Sequence, residues 1–386
     1  MQASRHRWVI LAASLFAFVC FAFSFQLVPP LKTPLQTEFN IDDTQFGLLM
    51  AAATLPVVVL ALPAGLAINR YGFRATGAAS VIAVTAGSLT MATSNSYPAA
   101  LAGRFVLGVG GTFLMVGTPA AVPQWFRQAE MGKAMAVSAV YMPLATIMAF
   151  PTATLLSESL GWRFPFYVIA AVSSACAVVF AATMREGPFQ SAAAPRLAEV
   201  RDASKSVEVW KAGLLWIFFN ITAMGYLTYA QDMFRSFKGM EPLGASLLAS
   251  VFMYAGVFAV PAIGGVSDRM GRRKPFIVAG SALMGVFLIG VAYAEGPALL
   301  WIVIALGVSA AMVPPLVMAT VGQSLSPKLS STGFSIVTMC QNIGNTLAGP
   351  TAGYLLQTTA SMQWTLAGLA CFAFANVAVA LTLRSR

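Results

Sequence analysis

A ten-residue pattern that occurs twice constrains the fold of this chain more than any other feature. Residues 65–74 read GLAINRYGFR and residues 264–273 read GGVSDRMGRR, and two glycines and two arginines match at a constant offset of 199 residues. Each copy follows a long apolar run, and the offset is about half of the 386-residue chain. The sequence therefore predicts two copies of one structural unit.

The apolar runs predict a membrane protein. Hydrophobic residues make up 58% of the chain and charged residues only 9%, whereas soluble domains carry about 25% charged residues. Runs of about 20 apolar residues are long enough to cross a bilayer as helices. Twelve such runs occur, at 8–28, 45–68, 75–93, 98–119, 132–156, 164–184, 211–231, 244–266, 275–294, 297–320, 333–357 and 362–383. We therefore predict an all-α integral membrane protein with twelve transmembrane helices.

A polar segment divides these runs into six and six. Hydrophobicity collapses over residues 185–210, where charged residues and prolines follow one another. We predict an N-terminal six-helix bundle over residues 1–184, a cytoplasmic linker over 185–210 and a C-terminal six-helix bundle over 211–386. Because each half has an even number of spans, both halves enter the membrane in the same direction, as parallel repeats related by pseudo-two-fold symmetry do.

The basic residues follow the membrane rather than a nucleic acid. If the N-terminus is cytoplasmic, 18 Lys and Arg residues fall on the cytoplasmic side and 4 fall outside, which agrees with the positive-inside bias. Both termini are then cytoplasmic. The net charge of +10 thus indicates no nucleic-acid partner. The four cysteines lie within apolar runs, and no pattern for a metal, cofactor or catalytic site accompanies the helices, so we predict neither a metal nor a cofactor, and no enzyme.

The duplicated loop, with its Gly-x-x-x-Asp-Arg-x-Gly-Arg-Arg pattern, resembles the signature loop of the major facilitator superfamily. The segment from Arg104 to Gly110 is similar to that family's Arg-x-x-x-Gly-x-Gly motif in the fourth helix. The resemblance covers essentially the whole chain. It implies the twelve-helix bacterial type of transporter, which moves a small-molecule substrate across the bacterial inner membrane by alternating access. It also implies the lipid bilayer as surroundings and a monomeric state.

The motif loops have a physical interpretation of their own. Their glycines permit a tight turn between helices, and their arginines can contact phosphate headgroups. Asp268 can interact with the positive N-terminal end of a neighbouring helix, while Asn69 in the first copy lacks that charge. We predict that the loops act in gating through Gly65, Asn69, Arg70, Gly72, Arg74, Gly264, Asp268, Arg269, Gly271, Arg272 and Arg273.

One residue, Arg104, is clearly charged within a predicted span. An ionisable group inside the membrane normally faces a cavity or a partner, and we therefore predict that Arg104 binds substrate. The alternative is a structural arginine that reaches the outer interface or bonds backbone carbonyls.

Neutral polar side chains complete the candidate site. Buried amides and hydroxyls require partners, which are either substrate or neighbouring helices. The repeat offset relates Tyr141 to Asn342, and in the resembled family the two helices concerned border the central cavity. With Arg104, the predicted substrate-binding residues are Gln26, Tyr141, Asn220, Tyr226, Tyr229, Tyr254, Gln341, Asn342 and Asn345. Tyr226 and Tyr229 share a helix face, although they could belong to the outer aromatic belt instead.

Acidic residues are absent from the middle of every predicted span. A proton-coupled carrier usually places a titratable carboxylate in its path. Three coupling modes stay open: the substrate carries its own proton, the protein exchanges anions, or it is a facilitator.

The lone arginine, with amide and tyrosine donors, favours an anionic substrate, either a carboxylate or an oxyanion. The chain resembles the broad bacterial group that includes nitrate and cyanate carriers, but it lacks the duplicated Gly-rich signature of the nitrate carriers and an arginine in the eighth span, which argues against nitrate itself as the substrate. A multidrug or lipophilic-compound exporter is the first alternative, although the first span has no acid and the fifth has no Gly-Pro motif. A membrane sensor or scaffold that does not transport is the alternative from another class.

Overall fold

A computed structural model describes residues 3–126, 130, 134–135, 137–138, 140–185, 202–324 and 327–383. All the regular structure in these residues is helical. Residues 186–201 of the predicted linker lie outside the described residues, as do parts of 127–139 at the start of the fifth predicted span. The chain divides into two compact units, Met1–Asn40 with Ala52–Ala194 and Ile41–Ala51 with Pro195–Arg386.

The helices of the N-terminal half are long and mostly apolar. The first, α1, is followed by a short 3-10 turn, Pro29–Leu31, and α3 begins in the second unit and continues in the first. Their bounds are α1 Ala3–Gln26, α2 Lys32–Phe39, α3 Asp43–Thr93, α4 Tyr97–Trp125, α5 Tyr141–Leu160 and α6 Phe164–Thr183. Within the first unit, α1 packs against α4, α5 and α6.

In the C-terminal half, the described residues form seven helices, and one predicted span, 297–320, is divided between two of them. Its helices are α7 Val207–Lys238, α8 Pro242–Met270, α9 Lys274–Tyr293, α10 Gly296–Ala311, α11 Pro314–Ser324, α12 Pro327–Thr359 and α13 Met362–Leu381. The closest pairs in this unit are α7 with α12, α9 with α13 and α8 with α10. Pro314 and Pro315 separate α10 from α11, since neither has an N–H with which to continue the helix.

Each of the twelve predicted spans coincides with helix in the described residues. Nine helical stretches there are long and apolar enough to cross a membrane. One of them, α3, has 51 residues and contains two predicted spans, 45–68 and 75–93. The predicted spans 132–156 and 333–357 correspond to α5 and α12, of 20 and 33 residues.

Glycines create the breaks inside both motif loops. Gly72 interrupts α3 with φ 76° and ψ 157°, and Gly271 follows α8 with φ 61°. Both angles lie where only glycine is unstrained, and the two positions are equivalent in the repeat. Gly65 and Gly264 differ from them, because a Cβ atom at either position would meet no atom closer than 3.9 Å. The tight turn thus requires the second glycine of each motif and not the first.

Equivalent helix contacts confirm the internal duplication. A Cβ atom on Gly108 in α4 would collide with the carbonyl of Ala53 in α3. A Cβ atom on Gly307 in α10 would collide with the carbonyl of Phe252 in α8. Gly307 follows Gly108 by 199 residues, and Phe252 follows Ala53 by the same number. Close approach of two backbones is a typical use of glycine in membrane bundles, and each half uses it at the same place.

Candidate functional site

Arg104 lies at the break that ends α1. Its side chain is 1% exposed, and its Nη1 donates hydrogen bonds to the backbone oxygens of Ser24 and Phe25, at 3.3 and 3.4 Å. The guanidinium carbon also lies 5.0 Å from the ring centroid of Phe25. The carbonyls at a helix C-terminus carry partial negative charge, so a cation is favourable there. Arg104 therefore acts as a C-terminal cap on α1.

The prolines after α1 explain why this cap is needed. In a regular helix the N–H of residue 29 would donate to the oxygen of Phe25, but Pro29 has no N–H. A carbonyl left without a donor in a membrane interior costs free energy. Arg104 supplies a donor to that oxygen from another helix. The structural alternative given above for Arg104, bonding to backbone carbonyls, is thus observed, whereas its contact with substrate stays a prediction.

A polar cluster surrounds this break and comprises Ser24, Gln26, Ser88, Arg104 and Thr146; we call it the α1-break cluster. The Nε2 of Gln26 donates to Oγ1 of Thr146 in α5 at 2.5 Å, and the hydroxyls of Ser24 and Ser88 are 2.7 Å apart. All five side chains are buried. The predicted residues Arg104 and Gln26 therefore both lie at this break, with different partners, and three hydroxyls that the sequence did not single out lie there as well.

Tyr141 lies away from this cluster. Its ring stacks on Phe18 of α1, with centroids 3.5 Å apart and an angle of 10° between the planes. Phe18 precedes Gln26 by eight residues, which is about 12 Å along a helix. The predicted residues of the first unit thus lie at two positions along α1, with Arg104 and Gln26 at its end and Tyr141 about two turns before it.

In the second unit, two predicted amides bond their own helices. The Nδ2 of Asn220 donates to the oxygen of Trp216 at 2.7 Å, and the Nδ2 of Asn342 donates to the oxygen of Thr338 at 2.9 Å. Both residues are almost fully buried. A Cβ atom on Gly344 of α12 would lie 2.7 Å from the oxygen of Ile217 in α7. The middle of α7 and the middle of α12 are therefore in direct backbone contact.

Three buried polar atoms near this contact lack a hydrogen-bond partner among the described residues. They are the Tyr226 hydroxyl, the Asn345 Oδ1 and the Trp216 Nε1. The Tyr226 ring is 1% exposed and lies 5.5 Å from that of Phe252. A buried polar atom without a partner costs free energy unless a ligand or water satisfies it. Trp216 was missed by sequence reasoning, although its indole N–H was a visible signal.

Tyr229 makes a structural hydrogen bond. Its hydroxyl donates to the oxygen of Asp43 at 2.6 Å and lies 3.4 Å from the oxygen of Gly349. Asp43 belongs to the segment Ile41–Ala51, which the second unit includes. Three residues after Tyr229, Asp232 is only 9% exposed. The predicted span ends at residue 231, but α7 continues to Lys238, so Asp232 is a residue of the helix.

The other two predicted residues of the second unit are less buried. Tyr254 in α8 is 41% exposed, and Gln341 in α12 is half-buried. The structure therefore groups Tyr226, Asn220, Asn342 and Asn345 around the contact of α7 with α12. It leaves Tyr254 on the surface of its unit.

Basic residues in the motif loops and directly after them donate to backbone oxygens of neighbouring helices. The Nε of Arg74 donates to the oxygen of Ala181 in α6 at 3.1 Å. The Nζ of Lys274 donates to the oxygen of Leu381 in α13 at 2.6 Å, and Arg273 donates to the oxygen of Ala319 at 2.8 Å. Arg70, Arg269 and Arg272 are exposed, as headgroup contacts would require, and Asn69 is exposed as well. The side chain of Asp268 lies outside the described residues.

No group of three or more His, Cys, Asp or Glu side chains that could hold a metal occurs in the part of the chain that the structure describes.

Comparison with known proteins identifies relatives over the whole chain. Residues 14–241 and 227–386 match the family model of the Major Facilitator Superfamily. A probable nitrate/nitrite transporter of Mycobacterium tuberculosis is 26% identical over 271 residues, covering 68% of this chain and 67% of the relative. A probable sulfoacetate transporter of Cupriavidus necator is 22% identical over 264 residues, covering 62% of this chain and 60% of the relative. The crystal structure of a bacterial homolog of the human lysosomal transporter Spinster superimposes with a TM-score of 0.81 at 14% identity, covering 97% of this chain and 95% of the other.

Proposed function

Because the chain belongs to the Major Facilitator Superfamily, we propose that it is a secondary or facilitative transporter that moves a small anion, a carboxylate or an oxyanion, by alternating access. Membership in this family makes it a multi-pass membrane protein of transport and not an enzyme. Relatives named for nitrate and nitrite and for sulfoacetate support the anion, since these substrates share a negative charge.

The buried charge of Arg104 carries the proposal within this chain. A guanidinium that is 1% exposed lies at the break that ends α1, where it contacts the backbone of Ser24 and Phe25, next in the chain to Gln26. Coulomb attraction is much stronger in such surroundings than in water, so a nearby anion is favoured over a neutral or cationic solute. The hydroxyls of Ser88 and Thr146 donate to carbonyls of their own helices, whereas the amide of Gln26 has a second N–H besides the one that it donates to Thr146, of the kind that carboxylates and oxyanions accept.

Counterflow in proteoliposomes tests the proposal. Proteoliposomes are loaded with one compound at a time from a panel of carboxylates, inorganic oxyanions and organic cations. Uptake of the same labelled compound from outside is then measured. Anion exchange supports the proposal, while exchange of cations alone contradicts it and favours the exporter. Absence of exchange for every compound favours a sensor or scaffold.

Variants at Arg104 then separate binding from structure. We expect Arg104→Lys to keep part of the exchange, because a lysine retains the charge and can still cap a helix C-terminus. Arg104→Ala is expected to lose exchange, and its thermal stability is measured in parallel. If Arg104→Ala exchanges anions with the wild-type KM, the residue has no part in anion recognition.

For the placement in the cell we propose the bacterial inner membrane with both termini cytoplasmic. The support is the distribution of Lys and Arg residues, 18 against 4. We further propose that a single chain, surrounded by lipid, is the transporting unit. Single cysteines engineered near residues 2 and 386 should be labelled in sealed right-side-out vesicles only by a membrane-permeant reagent. Labelling by an impermeant reagent would indicate the opposite orientation.

A further inference from the structure

A cavity opens at one end of the second unit. It has a volume of about 770 Å³ and lies between α7, α8, α10 and α13, at the end of the unit opposite the motif loop. Ligand pockets in proteins usually measure about 300–1,000 Å³, so one amphiphile-sized molecule can enter. Its walls are mostly apolar, with Leu247, Leu248 and Val251 on one side and Leu299 and Leu300 on another.

Exposed aromatic residues place this cavity at the lipid headgroup level. Tyr293 ends α9, while Trp301 and Trp364 lie within the first two turns of α10 and α13. Their exposed fractions are 70%, 67% and 69%. Exposed tyrosine and tryptophan rings at one end of a membrane bundle are typical of the interfacial belt. Water-soluble ligands gain little from apolar walls at this depth, whereas acyl chains are already present there.

The mouth of the cavity carries one charge of each sign. The Nζ of Lys238 donates to the oxygens of Ala292 and Ala294, at 3.1 and 2.7 Å, which fixes the ammonium at the rim. An ammonium has three N–H donors, so one donor is left by these two bonds. Glu295 is exposed, and its side chain makes no capping bond to α10. Both Lys238 and Glu295 line the cavity.

We infer that this cavity binds a single zwitterionic phospholipid with a primary ammonium headgroup, such as phosphatidylethanolamine. Lys238 receives the phosphate, Glu295 accepts hydrogen bonds from the headgroup ammonium, and the leucine walls hold part of an acyl chain. An anionic headgroup would place its negative charge near the carboxylate of Glu295, and the two would repel each other. A choline headgroup has no N–H to donate, so it would interact with Glu295 by charge alone. The inference does not depend on the transported substrate.

The test compares lipids on the full-length protein. Purified protein in detergent is titrated with phosphatidylethanolamine, phosphatidylcholine and phosphatidylglycerol of identical acyl chains, and bound lipid is counted by native mass spectrometry. We expect about tenfold tighter retention of phosphatidylethanolamine than of phosphatidylcholine, the size of one charge-assisted hydrogen bond. Equal retention of the two lipids, or preference for phosphatidylglycerol, overturns the inference.

Three variants locate the effect. Glu295→Gln should reduce phosphatidylethanolamine retention to the phosphatidylcholine level. Glu241→Gln is the matched control, because Glu241 is exposed at the same end of the unit but does not line the cavity. Leu247 is a wall residue that is 46% exposed, and Leu247→Trp should fill part of the cavity and weaken the binding of all three lipids. Unchanged lipid preference in Glu295→Gln, or equal loss in Glu241→Gln, contradicts the assigned site.

Discussion

The contact between Arg104 and the end of α1 yields a prediction that only a pair of substitutions can test. Arg104 donates to Ser24 and Phe25, and the Phe25 oxygen lacks a helical donor because residue 29 is proline. Pro29→Ala introduces an N–H that can donate to this oxygen. Arg104→Ala should therefore be less harmful in a protein that also carries Pro29→Ala.

The magnitude follows from the two hydrogen bonds. Bonds to charged groups contribute about 1.5–3 kcal/mol in soluble proteins, while hydrogen bonds between membrane helices average about 0.6 and reach about 1.7 kcal/mol. The distances of 3.3 and 3.4 Å are long, so about 1 kcal/mol for each bond is appropriate. We expect Arg104→Ala to cost about 2 kcal/mol alone and about 1 kcal/mol beside Pro29→Ala, a coupling of about 1 kcal/mol.

The assay is reversible unfolding in mixed micelles of a mild detergent and dodecyl sulfate, followed by tryptophan fluorescence. Pro30→Ala serves as the matched control, because its new N–H would face the oxygen of Gln26 and not the Ser24 and Phe25 oxygens that Arg104 contacts. Its coupling to Arg104→Ala should stay below about 0.5 kcal/mol. Equal coupling for the two prolines, or none for Pro29, would refute the reasoning that Arg104 replaces the missing donor.

Two further predictions concern helix packing and helix ends. Gly108→Ala and Gly307→Ala should each lower the free energy of unfolding by about 1–3 kcal/mol, because the new methyl group would collide with a backbone carbonyl. Gly264→Ala is the control and should change the unfolding midpoint little, because the space around Gly264 is open. A large loss in Gly264→Ala would show that the midpoint does not report packing. Arg74→Gln and Lys274→Gln should each cost about 0.3–1 kcal/mol by removing a cation from the end of α6 or α13. Arg74→Lys should retain most of that stability in the same unfolding assay, and a loss as large as that of Arg74→Gln would exclude a charge effect.

Helix number and repeat structure could be predicted because they depend on long apolar runs and on spacing. Helix bounds at charged ends could not. Hydrophobicity falls after residue 231, yet α7 continues to Lys238, and Asp232, which is part of this continuation, is only 9% exposed. Polar residues at a helix end are compatible with both helix and loop, and only the surrounding helices decide between them.

The partner of Arg104 could not be predicted for a different reason. Its acceptors are backbone oxygens, which every residue has and which no sequence pattern marks. The signal was indirect and lay in Pro29 and Pro30, about 75 residues earlier, since two adjacent prolines leave carbonyls without donors. The neighbours of Tyr226, Asn345 and Trp216 likewise depend on how α7 lies in its unit, which hydropathy does not record.

The paired contacts also show where the two halves differ in register. Gly108 with Ala53 corresponds to Gly307 with Phe252 at 199 residues, but the capping pair Arg74 with Ala181 corresponds to Lys274 with Leu381 at 200. The motif itself matches Arg74 to Arg273 at 199, so the cation that bonds the end of α13 is the residue after the matched arginine. Two residues separate α9 from α10, whereas three separate α3 from α4. A chimera that exchanges α9 for residues 75–93 of α3 must carry the loops on both sides of the helix with it. Otherwise a shift of one residue would rotate the grafted helix by about 100°.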